Sequence, residues 1–342
     1  MNTARHWRKL AGAAALVLAL QAGAAELGIE GTRFTIDRKP TFLLGASYYA
    51  GCGAPKAFIR ADLDDLKKLG FNWIRVWAVW SLEGTDISAV DRRGAARAAQ
   101  LEKLKFILKE ADARGMIVDV TLSRGKNLPS QAAHLRAVKL LARELKPFRN
   151  AYFDLANERN IQDARFVGFA DLRALRDAVK RIDPKRLLTA SQGGDISQEE
   201  AVDYLKQAGV DFLTPHRPRS ARSPSETEHK TRQLSAWARA AGKPLPVHYQ
   251  EPFRRDYGRW QPEEKDFLDD CAGAARGGAA GWCFHNGSPR FTGSKKKGPF
   301  RSFDMRPRFG RLMDQLDPVE KAVVEKLAAT ARKALAAAGR KN

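Results

Sequence analysis

The chain has 342 residues, of which 44% are hydrophobic, 29% are charged and three are cysteines. This composition excludes a low-complexity chain and a small protein held together by a disulfide framework, and the length suits one large domain. The net charge of +21 indicates an acidic substrate, an anionic surface as partner, or a basic solvated face that serves solubility.

Residues 1–25 have the pattern of a cleavable secretory signal, in which three basic residues precede a short apolar run at 10–20 and small residues follow. The apolar run is too short to cross a bilayer core of ~30 Å as a helix. We therefore expect a mature domain at 26–342, located in the periplasm or secreted, with no membrane span. An uncleaved anchor is the alternative. Loss of the leader lowers the net charge from +21 to +18.

After the leader, a turn cluster at 37–40 separates two short alternating runs and predicts a β-hairpin. Beyond it, short apolar runs alternate with segments that have the apolar spacing of amphipathic helices. The predicted strands lie at 43–49, 71–77, 116–122, 151–156, 187–191, 210–214, 245–249 and 279–284. The predicted helices lie at 58–69, 95–113, 130–145, 166–182, 198–208, 225–241, 263–275 and 318–338.

Eight strands that alternate with helices predict parallel pairing, which occurs in open doubly wound sheets and in closed barrels. A doubly wound sheet usually carries a glycine-rich phosphate loop after its first strand. The stretch Gly51-Cys52-Gly53 lacks the third glycine of that loop. The sequence therefore predicts one α/β domain, a (β/α)8 TIM barrel preceded by a short N-terminal β-hairpin.

Polar residues follow the predicted strands, and the carboxyl ends of barrel strands share one rim, where active sites lie. Glu158 follows the fourth strand and Glu251 follows the seventh, so two carboxylates are expected to face each other across this rim. Aromatic, amide and basic candidates accompany them: Tyr48, Arg75, Trp77, Asn157, His216 and Trp282. Opposed carboxylates with aromatic walls suit cleavage of a glycosidic bond, where one protonates the leaving oxygen and the other attacks or activates water.

This set of residues resembles clan A of the glycoside hydrolases, the retaining (β/α)8 enzymes that include the family-five cellulases and mannanases. The resemblance spans residues 34–282 and rests on an ordered set of short matches. These are the opening 34–45, Gly70-Phe71-Asn72-x-Ile74-Arg75, Asn157-Glu158, His216, Glu251 and Trp282.

The resemblance implies a role for each matched residue. Glu158 would be the general acid/base, Glu251 the nucleophile, and Asn157 the ligand of the sugar 2-hydroxyl. Arg75 would keep Glu251 ionised, and His216 would hydrogen-bond within the carboxylate site. Trp282 would be the floor on which the sugar stacks, and Tyr48 and Trp77 are further candidate walls.

The chain departs from family five at two strand ends. The third predicted strand ends without the usual histidine, and His216-Arg217-Pro218 stands where the family often has His-x-Tyr. Basic residues lie just past several strand ends: Arg124, Arg217, Arg219, Arg254 and Arg255. They suit a negatively charged sugar polymer, and a solvated basic rim is the alternative.

The sequence thus predicts a retaining hydrolase of a β-linked oligo- or polysaccharide that needs no cofactor or metal and has no nucleic-acid partner. The alternatives are a non-catalytic carbohydrate-binding barrel and a basic envelope protein that holds anionic polymers. Structural readings also stay open: an ion pair of Glu158 with Arg159, and a core position for Trp282. A disulfide between Cys52 and Cys283 is a further hypothesis, because the first and eighth strands of a barrel are neighbours.

Overall fold

The computed structural model describes residues 25–82, 84–288 and 298–340. The predicted signal sequence, apart from Ala25, therefore lies outside the described residues. No helix in the described part of the chain is both long enough and apolar enough to cross a membrane.

Short strands alternate with longer helices along the chain. The strands are β1 Leu27–Glu30, β2 Arg33–Ile36, β3 Lys39–Thr41, β4 Leu43–Ser47, β5 Trp73–Trp77, β6 Ser81–Leu82, β7 Thr85–Asp86, β8 Ile117–Thr121, β9 Ala151–Asp154, β10 Leu188–Thr189, β11 His248–Tyr249 and β12 Gly281–Phe284. The helices are α1 Lys56–Lys68, α2 Ala98–Asp112, α3 Gln131–Glu144, α4 Phe169–Ile182, α5 Gln198–Asp203, α6 Ser223–Ala240, α7 Glu264–Gly277, α8 Leu312–Gln315 and α9 Pro318–Gly339. The predicted helices are confirmed with ends that shift by at most three residues, except that Tyr204–Ala208 continues α5 as a π-helical turn.

Seven strands form one parallel sheet in the order β10-β9-β8-β5-β4-β12-β11. The segment 210–216 lies between β10 and β11 and joins them through the parallel bridges Gln192–Pro215 and Leu213–Val247. Backbone hydrogen bonds continue on both sides of this segment. The predicted eight-stranded barrel is therefore confirmed, with an irregular sixth strand.

Side chains of the sheet alternate between the barrel interior and the surrounding helix layer, as the period of two in a strand requires. The outward set is mostly aliphatic and packs with residues of the helices in one large core. The inward set mixes small, aromatic and charged side chains: Gly45, Ser47, Trp73, Arg75, Ile117, Asp119, Tyr152, Asp154, Gly281 and Cys283. Charged side chains inside a barrel need partners, and they find them near its carboxyl end.

A large ring and a small residue share the middle of the barrel. The rings of Trp73 and His248 pack edge to face with centroids 4.5 Å apart. A Cβ atom built on Gly45 would lie 1.8 Å from Cε3 of Trp73, so glycine at this position makes room for the indole.

The amino-terminal end of the barrel is closed by a three-stranded antiparallel sheet, β1-β2-β3. The predicted hairpin is confirmed as the β2–β3 pair and is extended by β1. Leu27 and Phe34 join the apolar cluster inside the barrel, and the Phe34 ring packs edge to face on Phe212 at 5.0 Å. We call β1–β3 the bottom plug.

The hypothesis of a disulfide between Cys52 and Cys283 is wrong, because Cys52, Cys271 and Cys283 are all free and buried. Cys283 points into the barrel, where its Sγ lies 3.8 Å from Oγ of Ser47. Cys52 follows β4 in a 3-10 turn, and its Sγ lies 4.0 Å from the carbonyl oxygen of Trp77. The two thiols therefore have separate partners, one inside the barrel and one in the turn after β4.

Candidate active site at the carboxyl end of the barrel

Arg75 is fully buried inside the barrel and connects four side chains from three strand ends. Its Nε donates to Oδ2 of Asp119 at 3.0 Å, and its Nη2 donates to Oδ2 of Asp154 at 2.7 Å. Nη2 also donates to Oδ1 of Asn157 at 2.9 Å, and Nη1 donates to Oε1 of Glu251. A planar guanidinium with five donors suits this role, since a lysine could satisfy fewer acceptors in fixed directions.

Glu251 is almost completely buried, and cations contact both of its carboxylate oxygens. Arg75 binds Oε1, while Oε2 accepts a hydrogen bond of 2.9 Å from Nη2 of Arg219. Nδ1 of His216 lies 3.7 Å from the same Oε2. Burial alone would raise the pKa of Glu251, but His216 and the two guanidinium groups outweigh it and hold the pKa well below its ordinary value. The residue is therefore ionised across the physiological range.

Glu158 stands four residues beyond the end of β9 and adopts a left-handed backbone conformation with φ of 45°. Such strain in a residue other than glycine is typical of functional positions. Its Oε1 lies 3.3 Å from Nδ1 of His216, and its Oε2 accepts from Nη1 of Arg165 at 3.0 Å. It does not pair with its neighbour Arg159, which is buried against the Phe169 ring. The alternative of an ion pair between Glu158 and Arg159 is therefore wrong.

Opposing influences act on the protonation of Glu158. Burial and the charge of Glu251 raise its pKa, whereas the hydrogen bond from His216 and the charge of Arg219 lower it. The net shift is below the ordinary glutamate value.

The two glutamates are neighbours in space, and two side chains bridge them. One ligand atom each from Glu158, His216 and Glu251 lies within 4.8 Å of the others. Nη2 of Arg219 is 2.9 Å from Oε2 of Glu251 and 3.7 Å from Oε1 of Glu158. The paired carboxylates predicted from the strand ends therefore meet at one point.

The same trio has ligand atoms close enough to hold a metal ion. Arg75 and Arg219 contact both oxygens of Glu251, however, and their charges disfavour a cation beside it. The absence of a metal and of a cofactor from the reaction stays a prediction.

An aromatic wall stands beside the carboxylates, formed by Tyr49, Trp77, Trp80 and Phe303. The Tyr49 ring stacks on Phe303 with centroids 4.8 Å apart, and it also contacts Trp77 at 5.2 Å. Nε1 of Trp77 and Nε2 of His216 are buried and have no hydrogen-bond partner within the described part of the chain. Buried donors and acceptors of this kind suit the hydroxyl groups of a bound sugar.

The predictions that Tyr48 and Trp282 contact the sugar are wrong, because both side chains point outward into the helix layer. The hydroxyl of Tyr48 donates to Oδ2 of Asp62 in α1 at 3.0 Å. Nε1 of Trp282 donates to Oδ2 of Asp270 in α7 at 2.7 Å, and the indole is fully buried. The alternative of a core position for Trp282 is the correct one.

The residues that occupy the inward positions instead are Tyr49 and His285. Nδ1 of His285 lies 3.0 Å from Oγ of Ser47, and its Nε2 lies 3.5 Å from Oε2 of Glu251. The sequence carried a signal for Tyr49. Ser47 and Arg75 are polar residues in otherwise apolar strands, so they mark the inward side, and a step of two along β4 leads to Tyr49.

The basic rim divides into two groups. Three arginines are ion-paired with carboxylates of the scaffold: Arg124 with Asp171, Arg217 with Asp195 and Arg255 with Asp317. The other two, Arg219 and Arg254, lie within the site itself. The first group is thus bound to the scaffold, with Arg217 buried and Arg124 and Arg255 partly exposed.

Comparison with known proteins finds likeness in structure but not in sequence. No protein-family model matches the chain, and no curated protein matches it. A family 5 mannosidase from Rhizomucor miehei aligns with a TM-score of 0.64 over 92% of this chain and 98% of its own, at 13% identity. The endo-1,4-beta-mannanase from the same organism aligns with a TM-score of 0.63 over 90% and 99%, at 14% identity.

A third structure, the GH5_18 enzyme from Streptomyces cattleya in complex with GlcNAc, aligns with a TM-score of 0.61 over 86% of this chain and 80% of its own, at 17% identity. Identities this low establish a shared fold and leave the activity to be argued from the site. The sequence resemblance is confirmed at that level: the chain has the (β/α)8 fold of glycoside hydrolase family 5 enzymes.

Proposed function

We propose that the protein is a retaining glycoside hydrolase that cleaves a β-linked oligo- or polysaccharide by double displacement. The observation that carries this proposal is the meeting of Glu158 and Glu251, whose oxygens approach within 4.8 Å of each other. Retaining enzymes hold their carboxyl groups ~5–5.5 Å apart, whereas inverting enzymes leave ~6.5–9.5 Å for a water molecule. The short separation supports direct attack by one carboxylate.

Glu251 is the nucleophile in this mechanism. It must be ionised when it attacks the anomeric carbon, and the cations around it favour the charged form. The attack forms a glycosyl-enzyme ester on Glu251. Asn157 and Arg75 are hydrogen-bonded to each other and form the base of the site next to Glu251.

Glu158 is the general acid and then the general base. It protonates the oxygen of the departing sugar in the first step, and in the second step it takes a proton from the water that hydrolyses the ester. The ester removes the charge of Glu251, a charge that raises the pKa of Glu158 in the resting enzyme. Glu158 therefore becomes the stronger acid, and its anion the available base, when the second step requires it.

The decisive experiment combines stereochemistry with a variant. The purified protein is assayed for release of reducing ends on a panel of neutral and acidic β-glycans, next to Glu251→Gln. Proton NMR then identifies the first anomer released from a cleaved substrate. We expect the β-anomer and a loss of activity of at least about 10³-fold in the variant. Release of the α-anomer, or activity that survives in Glu251→Gln, would refute the retaining mechanism.

One observation favours the second candidate, a non-catalytic carbohydrate-binding barrel. Arg219 contacts both glutamates and, with His216, favours the ionised form of Glu158, which cannot donate a proton. A binding protein would hold a glycan equally well with Glu251 or with glutamine at this position. It would release no reducing ends at any pH.

We further propose that the protein acts in the periplasm or outside the cell. The support is the pattern of residues 1–25, a basic start followed by an apolar run and small residues. Expression of the full chain followed by cell fractionation and N-terminal sequencing tests this location. Cleavage near residue 25 is expected, and recovery of the intact chain from the cytoplasm would contradict it.

A further inference from the structure

Arg254 is a buried arginine at the edge of the candidate active site. Only 8% of the residue is exposed, and its guanidinium packs on the rings of Tyr257 and Phe303 with distances of 4.7 and 4.9 Å to the ring centroids. Nη1 lies 3.0 Å from Nε2 of His285, the histidine that also faces Glu251. The guanidinium is therefore one side chain away from the proposed nucleophile.

No carboxylate of the described residues lies within ion-pair distance of Arg254, although the charge of Glu251 acts on it from farther away. Within residues 25–82, 84–288 and 298–340 it forms no ion pair, and its Nε is buried without a hydrogen-bond partner. Buried arginines are normally paired, because an isolated charge in a protein interior is costly. Arg75 and Arg219, the arginines that contact Glu251, follow that rule.

A second cation lies beside it and increases the imbalance. Arg219 also packs on the Tyr257 ring, with its guanidinium carbon 4.3 Å from the ring centroid. Burial and the charge of Arg219 lower the pKa of Arg254 to about 10, which still leaves it charged at neutral pH. We call Arg219 and Arg254 the arginine pair. An anion bound here would relieve their repulsion and supply the missing acceptor.

We propose that the arginine pair is a subsite for an anionic substituent of the sugar, a uronate carboxylate or a sulfate ester, next to the bond that is cleaved. This inference rests on the proposed function, since it assigns the substrate class of the same site. A planar guanidinium binds either group through two parallel hydrogen bonds, and the unpartnered Nε of Arg254 is one of the donors available. A neutral sugar offers no group that would match two adjacent cations.

The subsite also gives Arg219 a second partner. In the structure Arg219 lies between the glutamates, where the sugar must enter. An anionic group on the sugar would draw the guanidinium toward itself and away from Glu158. Loss of a nearby cation raises the pKa of a carboxyl group, so Glu158 would gain the proton that a general acid needs.

The test measures binding, so that it does not depend on turnover. Isothermal titration calorimetry at fixed pH and salt uses Glu158→Gln protein, which cannot protonate the leaving oxygen. The probes are β-1,4-linked glucose and mannose oligomers of equal length that carry a hydroxyl, a carboxylate or a sulfate at C6. We expect one of the anionic series to bind at least about tenfold more tightly than its neutral counterpart. The preferred series identifies the anion.

Three further substitutions, each in the Glu158→Gln background, locate the preference. Arg254→Gln should abolish the preference for the anionic oligomer. Arg254→Lys keeps the charge but loses the two parallel N–H donors of the guanidinium, so it should retain only part of the preference. Arg124→Gln is the control, because Arg124 is a rim arginine already paired with Asp171. It should leave the preference within about twofold, since Arg124 already has a carboxylate partner and lies outside the arginine pair.

Two results would overturn the inference. The first is equal affinity for neutral and anionic oligomers, including a lack of measurable binding to both. The second is an equal loss in Arg254→Gln and Arg124→Gln, which would show attraction to the overall basic charge. Either result leaves the proposed function standing if neutral glycans are hydrolysed. Conversely, a clear anionic preference in a protein that hydrolyses nothing would refute the function and keep the subsite.

Discussion

Nδ1 of His216 lies 3.3 Å from Oε1 of Glu158 and is thereby placed between the two carboxylates of the site. The same atom is 3.7 Å from Oε2 of Glu251. A single imidazole thus favours the ionised form of both glutamates. For the nucleophile this favours the form that reacts, whereas for the general acid it disfavours that form.

The first prediction follows for His216→Phe, which should move both limbs of the pH profile of kcat/KM to higher pH. Activity needs Glu251 ionised and Glu158 protonated. It therefore decreases when the pH drops below the pKa of Glu251 and when the pH rises above the pKa of Glu158. His216 lowers both values, and its removal raises both. Arg165→Gln is the matched control. Of the two glutamates it contacts Glu158 alone, so the low-pH limb, which Glu251 sets, should stay in place.

A profile in which only one limb moves in His216→Phe would contradict the bridging role. The measurement needs a substrate with a natural sugar leaving group, since an activated leaving group does not require the acid.

The second prediction concerns Arg75→Lys, which should destabilise the fold by about 3–5 kcal/mol. Lysine cannot satisfy Asp119, Asp154 and Glu251 together, so buried carboxylates lose their partner. Urea unfolding measures the change. Arg60→Lys is the control, because Arg60 pairs with Glu110 at the surface, and it should cost less than about 1 kcal/mol. Equal costs in the two variants would contradict the central role of Arg75.

The third prediction is that Trp282→Phe lowers stability by about 1–3 kcal/mol while kcat/KM stays within about twofold. The indole donates to Asp270 in the helix layer and does not reach the site. Trp77→Phe is the matched change in the aromatic wall. It should raise KM while changing the free energy of unfolding little. A tenfold loss of kcat/KM in Trp282→Phe would mean that this residue does bind the sugar.

The stability loss in Trp282→Phe should also depend on pH. Burial raises the pKa of Asp270 to about 6, despite hydrogen bonds from Thr227 and Trp282 that oppose it. The folded protein therefore holds a proton that the unfolded chain releases, and stability falls as pH rises toward 6. Loss of the indole donor raises this pKa further. The variant should be more destabilised at about pH 8 than at about pH 5, because a bond to the charged form is the stronger one.

The fourth prediction concerns the close contact of Gly45 with Trp73. Gly45→Ala should destabilise the protein by more than about 2 kcal/mol, since a Cβ 1.8 Å from Cε3 of the indole forces the barrel interior to shift. Gly258→Ala is the control, because nothing lies within 4 Å of a Cβ at that position. It should change the free energy of unfolding by less than about 0.5 kcal/mol. Thermal unfolding of both variants measures the difference.

The architecture was predictable because each element depends on local pattern. Apolar runs and helical spacing located the strands and helices, and parallel pairing placed Glu158 and Glu251 at one rim without knowledge of any contact. The irregular sixth strand was predicted as an ordinary one, since its residues 210–214 have the apolar pattern of a strand. Its hydrogen bonds with both neighbours depend on tertiary context that periodicity does not encode.

The errors within the site have a single physical cause, the side of the strand. Tyr48 and Tyr49 are adjacent aromatic residues, and a shift of one position decides between the helix layer and the barrel mouth. The prediction for Trp282 was wrong for the same reason. Its side chain lies in the helix layer, and His285 is the residue after β12 that points into the site. The lack of an ion pair at Arg254 could not be predicted, because it depends on the distances between its guanidinium and the carboxylates in the folded protein. The sequence alone placed it among five rim arginines.

The bottom plug has a consequence for the order in which the chain can acquire its structure. Leu27 and Phe34 pack against residues that come much later in synthesis, among them Phe212, Ala280 and Cys283. The bottom plug therefore has no complete docking surface until residue 283 has left the ribosome. Closure of the bottom of the barrel is therefore expected only after most of the chain has been synthesised.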